Sequence, residues 1–137
     1  MIYKQKARKD AFLILYQWDI KGDNIEELIE EYIQSNKIKH PERRRYARKL
    51  VRTYIQNAKE VDSIISQLSE EWEIDRLGYI ERNILRIAIA EILFIGVKNF
   101  SLVVLDYVKL TLKYAGKVPA RFVNGILSKV QTLTKEA

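Results

Sequence analysis

The stretch Ile80–Ile95, IERNILRIAIAEILFI, decides the fold. Wound as a helix at about 100° per residue, it gathers Ile80, Ile84 and Ile87 on one side. Leu85, Ala88, Ile89, Ile92 and Leu93 then carry apolar surface round most of the remaining directions. A helix that is apolar all round belongs inside, because one stripe suffices at a surface. At a rise of about 1.5 Å per residue it is about 24 Å long, the width of a small domain. It is too short to cross a bilayer, and Arg86 and Glu91 interrupt it. The stretch therefore reads as the hub of an all-helical domain. Its first turn, Glu81-Arg82-Asn83, is polar and is expected to stay wet, within reach of a partner. Glu91, inside the hub, is expected to be paired with a base or a backbone N–H, since a lone buried carboxylate is costly.

Upstream of the hub, the first helix is predicted over Tyr3–Ile20. Ala7, Ala11, Ile14, Leu15 and Trp18 form its core stripe. Phe12, Leu13 and Tyr16 fall off that stripe, so they either meet another helix or form a docking patch for a second protein. Lys4, Lys6, Arg8 and Lys9 crowd the opening of this helix, the end whose dipole disfavours cations. A bound anion would relieve that conflict, so the cluster is a candidate phosphate site. Gly22-Asp23-Asn24 is a turn, and Asp23 or Asn24 is placed to cap a helix over Ile25–Ser35. Pro41 opens a long helix, Pro41–Leu68, whose first half is basic from Arg43 to Arg52. Ser69–Gly78 breaks the pattern, yet Trp72, Ile74 and Leu77 make it too apolar for a loose linker. It divides one domain, 1–137, into two packed helical sub-bundles of about 1–69 and 70–137, with six or seven helices in all. Downstream, Leu102, Leu105, Val108 and Leu112 recur at helical spacing. A last helix over Pro119–Leu133 turns Phe122, Val123, Ile126, Leu127 and Val130 inward.

Composition narrows the function. Of the 137 residues, 31% are charged and the net charge is +6, an excess that suits a polyanion such as nucleic acid. There is no cysteine, which excludes disulfides and thiolate chemistry. His40 is the only histidine, so neither a catalytic triad nor a histidine metal cluster can be assembled. Five scattered glycines make no phosphate loop. The expectation is a non-enzymatic protein with no cofactor or metal. The opening MIYKQKARKD has no apolar signal segment, so the cytoplasm is the expected compartment.

Three blocks resemble the NusB family. Ala7-Arg8 with Ala11, Leu15, Tyr16 and Trp18 is similar to its ARxxAxxxLYxW opening. Glu81–Leu93, ERNILRIAIAEIL, is similar to its central helix. Phe122–Leu127, FVNGIL, matches its FVNG block. The resemblance spans essentially the whole chain. It implies an all-α fold of two sub-bundles and a transcription antitermination factor. Such a factor binds single-stranded boxA RNA together with NusE, a small ribosomal subunit protein, within the RNA polymerase antitermination complex, and promotes read-through of ribosomal RNA operons. It implies that Lys4, Lys6, Arg8 and Lys9 hold RNA phosphates and that Phe122 offers a ring to an unstacked base. It places Tyr16 and Glu81 at the NusE surface, beside the off-stripe Phe12 and Leu13. Two departures stand out: Leu105-Asp106 where the family usually has Asn-Glu, and lysines where relatives often have arginines. Lysine lacks the bidentate fork of arginine. Two other readings compete. One is a non-catalytic adaptor or self-associating scaffold using the Phe12, Leu13 and Tyr16 surface. The other, ranked below it, is a duplex-DNA binder using Arg43–Arg52.

Overall fold

The computed structural model describes residues 2–69 and 76–136. These form seven α-helices and no strand. Their order is α1 (Ile2–Lys21), α2 (Ile25–Ser35), α3 (Pro41–Gln56), α4 (Ala58–Ser69), α5 (Tyr79–Ala90), α6 (Phe100–Ala115) and α7 (Lys117–Glu136), with a π-helical turn, Glu91–Ile95, continuing α5. None of them is long and apolar enough to cross a membrane.

The hub is where the sequence puts it. Every residue from Asn83 to Ile92 is buried. α5 packs against α1, α3, α4, α6 and α7, so apolar surface on all sides has a neighbour on all sides. Gly96 stops it with φ +92°, a left-handed backbone that L side chains rarely adopt. The predicted cap at Asn24 forms, and His40 adds one that the sequence did not signal. Asn24 accepts hydrogen bonds from the Glu26 and Glu27 amides. His40 Nδ1 accepts from the Arg43 amide, one residue before Pro41. Ala7, Ala11, Ile14 and Leu15 line the core, with Trp18 half-buried behind them.

Four expectations need correction. The long third helix is two, because the chain breaks at Asn57. There the amide bonds back to Tyr54 O and the side chain to Thr53 O, while Asn57 O takes the Val61 amide. Asparagine competes in this way with the helical ladder, while the apolar period runs on through Tyr54 and Val61, both buried. Asn83 is not wet but buried, bonded to Asp19 and to Tyr79 O. Phe12 is a core residue, 1% exposed, with its ring edge-on to Tyr114 at 5.4 Å. Finally, α6 presents the other face. Val103, Val104, Tyr107 and Thr111 are buried, while Leu102, Leu105 and Leu112 are exposed. The boundary residues Trp72 and Ile74 lie outside the described residues.

Candidate nucleic-acid interface

At the opening of α1, successive side chains diverge because residues one and two apart on a helix do not face each other. Lys6 is exposed, and Lys4 and Lys9 are half-buried. Lys4 Nζ stands 5.0 Å from the centre of the Tyr46 ring on α3. Among the described residues none of the three lysines has a carboxylate partner.

Arg8, on the inner side of the same turns, differs. It is 6% exposed and its guanidinium is fully engaged. Nε and Nη2 donate to the two oxygens of Glu91 at 2.8 and 2.7 Å, and Nη1 donates to Asp106 at 2.6 Å. Glu91 also accepts the hydroxyls of Tyr46 and Tyr107. One carboxylate, wholly buried at the start of the π turn, thus ties together α1, α3, α5 and α6. Burial alone would push its pKa up. The Arg8 hydrogen bonds and charge, with the two tyrosine hydroxyls, outweigh burial and hold it below the ordinary value. Burial and the neighbouring Glu91 push both tyrosine hydroxyls up, so they remain donors. The expectation that Arg8 holds a phosphate is corrected here, because its donor fork is already filled by carboxylates. The expected pairing of Glu91 with a base is what the structure has. The departure at Asp106 falls on this network, supplying the second anion to Arg8.

Phe122 lies elsewhere. Half-buried on α7, it shares a cavity of about 240 Å³ with Arg76, Leu77, Gly78, Glu81 and Val118. Glu81 folds its carboxylate over Gly78, where a Cβ would stand 2.7 Å from Oε2. Tyr16 meets the exposed Tyr79 ring edge-on at 6.4 Å, and Arg82 covers that ring at 4.5 Å while donating to Asp19. Leu13 is half-buried. The structure therefore gathers Phe122, Glu81 and, one step away through Tyr79, Tyr16 at the start of α5. Lys4 stands by its other end, near Glu91 and Gly96, on the helix turns that also carry Lys6 and Lys9. Glu81 and Glu91 are about 15 Å apart along the axis, at about 1.5 Å per residue.

The basic run on α3 is partly neutralised, with no carboxylate partner for Arg44, Arg45 or Lys49 among the described residues. Arg43 forks onto the buried Asp10, Arg44 donates to Ile38 O, Arg48 pairs with Glu30, and Arg52 pairs with Glu26. The last two pairs lock α3 to the acidic α2. Asp10 had no signal in the sequence, because its arginine comes from another helix.

The model of the NusB family matches residues 5–132. The transcription antitermination protein NusB of Aquifex aeolicus is 45% identical over 130 residues, covering 95% of this chain and 88% of that protein. The NusB of Oceanobacillus iheyensis is 36% identical, covering 93% and 97%. Among solved structures, a complex of antitermination factors NusB and NusE with double-stranded RNA superposes with a TM-score of 0.90. It has 42% identity and covers 97% of this chain and 98% of that one. The solution structure of Aquifex aeolicus NusB gives 0.84 at 42% identity, covering all of this chain and 94% of that one.

Proposed function

This chain belongs to the NusB family, and on that premise we propose that it is an antitermination factor that binds RNA together with the ribosomal protein NusE. The finer reading is that it takes single-stranded boxA-like RNA and acts in the RNA polymerase antitermination complex to promote read-through of ribosomal RNA operons. The observation that carries it is the set of three lysines, Lys4, Lys6 and Lys9, without carboxylate partners among the described residues, on a helix end anchored by Arg8. Phe122 is retained as a ring for an unstacked base. Leu13, Tyr16 and Glu81 form the NusE surface, from which Phe12 is removed by its burial.

If the three lysines each take one phosphate, log K falls with log salt at a slope of about −2, from about −0.7 per contact on a single strand. Fluorescence anisotropy with boxA-like RNA, with and without NusE, measures this. The same RNA as a duplex and a duplex DNA serve as competitors, since the related complex holds double-stranded RNA. Preference for single-stranded RNA and a slope near −2 support the reading; a flat salt response or preference for duplex DNA removes it. Tyr16→Asp is expected to weaken NusE binding, and unchanged affinity would take Tyr16 out of that surface. A self-associating scaffold is the second reading, favoured by the exposed Leu102, Leu105 and Leu112 on α6. A monomeric mass at high concentration would dismiss it.

A further inference from the structure

The Arg8–Glu91–Asp106 network is the floor of an open cleft of about 400 Å³. Lys4 of α1 lines one side. The loop after the π turn lines the other with Val97, Lys98 and Asn99, and Leu102 of α6 is 57% exposed at the edge. Lys98 is exposed and has no carboxylate partner among the described residues. Three cations, Lys4, Arg8 and Lys98, face two carboxylates, Glu91 and Asp106, so the cleft is net positive. Both carboxylates are engaged by Arg8, and Glu91 is wholly buried. The uncommitted charge is therefore cationic, and it comes from two segments far apart in sequence that the network ties together at this point. A volume of this order lies in the range of small-molecule sites. Apolar surface from Val97 and Leu102 stands beside the ammonium groups.

We propose that this cleft receives one nucleotide of an RNA strand, with its phosphate between Lys4 and Lys98 and its base against Leu102 and Val97. Arg8 lies beneath as a positioning residue that does not touch RNA. The proposal rests on the RNA-binding reading above and adds to it a contact, Lys98, and a division of labour. Lysines at the rim release counterions on binding. The buried guanidinium fixes the distance between them.

The test is the salt dependence of binding of a single-stranded oligoribonucleotide, measured by anisotropy with NusE present and absent. Lys98→Ala is expected to weaken binding and make the slope less negative by up to about 0.7, the share of one phosphate on a single strand, because Lys4 holds the same phosphate from the other side. Tyr107→Phe removes one Glu91 hydrogen bond without changing charge. Tyr107 is fully buried and out of reach of RNA. This variant is expected to raise Kd several-fold at unchanged slope. Arg8→Lys should do the same if it folds, and Tyr107→Phe keeps the test decisive if it does not. Lys6→Ala, outside the cleft, is the control. If it reduces the slope while Lys98→Ala changes neither slope nor Kd, the cleft is wrong and the RNA-binding reading survives. If Tyr107→Phe leaves Kd unchanged, or Arg8→Lys alters the slope, the positioning role is overturned. A wild-type protein that binds no RNA with NusE present overturns both readings.

Discussion

Glu91 is the residue on which the interior turns. It accepts four hydrogen bonds from three elements, and no buried side-chain polar atom among the described residues is left unsatisfied. Removing its charge leaves Arg8, which is buried and always protonated, with Asp106 as its remaining counter-charge among the described residues. Stranding a buried charge outright costs about 3–5 kcal/mol, so Glu91→Gln is expected to lose stability up to that much in urea denaturation. The pH dependence follows from the same site. The folded pKa of Glu91 lies below its ordinary 4.5, and that of Asp19, held by Arg82 and Asn83 against its burial, below 3.8. A depressed carboxylate stabilises fully above the unfolded value and loses that contribution as pH falls through the folded one. Stability is therefore expected to decline progressively once pH drops below 4.5, and less steeply in Glu91→Gln. An identical acid limb in the variant would place its source elsewhere. Tyr46 has the opposite sign. Its raised pKa gives stability that holds below 10.0 and is lost as pH rises through the folded value.

At the scale of the element, α6 shows a polar partner overruling an apolar period. Tyr107 must face Glu91, which leaves Leu105 and Leu112 on the opposite side of the helix, while Leu102, one turn before Asp106, stands at the edge of the cleft beside Arg8. Leu105→Ala is thus expected to change stability by no more than about 0.5 kcal/mol, as surface substitutions do. Leu127→Ala on α7, fully buried, should cost about 2–5 kcal/mol. Equal losses in thermal or urea melts would mean that the face has been misassigned. The end of α6 is equally definite. Gly116 has φ +98° and ψ −174°, a region essentially reserved for glycine, and its amide bonds to the carbonyls of Thr111 and Leu112. Gly116→Ala should cost about 1–3 kcal/mol, read as a lowered Tm.

For the whole molecule, α5 sets the order of stability. It contacts five other helices, so exposing its amides requires most of them to leave. Amides from Ile84 to Ile89 are expected to exchange with solvent only on global unfolding, whereas those at the start of α1 open locally. Exchange of α5 at the rate of α1 would contradict a shared core. Charge is divided on the same scale. Three α3 arginines, Arg43, Arg48 and Arg52, are neutralised by Asp10 and α2, while Arg44 and Arg45 have no carboxylate partner among the described residues. The chain's +6 charge is therefore a poor guide to where an anion binds.

Sequence alone determined most of the helices, the Asn24 cap and the identity of the hub. These are local matters: a 3.6-residue period, an Asn24 or Pro41 at a helix start, a glycine at a helix end. It also marked Glu91 as an acid in need of a base. It could not say which base. Arg8 lies 83 positions from Glu91 and 98 from Asp106, and nothing in the intervening chain signals the pairing. Only the packing of α1 across α5 and α6 decided that Arg8 is structural while Lys4, Lys6 and Lys9 remain available, and that Phe12 is core while Tyr16 meets Tyr79 near the surface. A desolvated charge must find its counter-charge wherever the fold brings one, and that geometry exists only once the helices have docked.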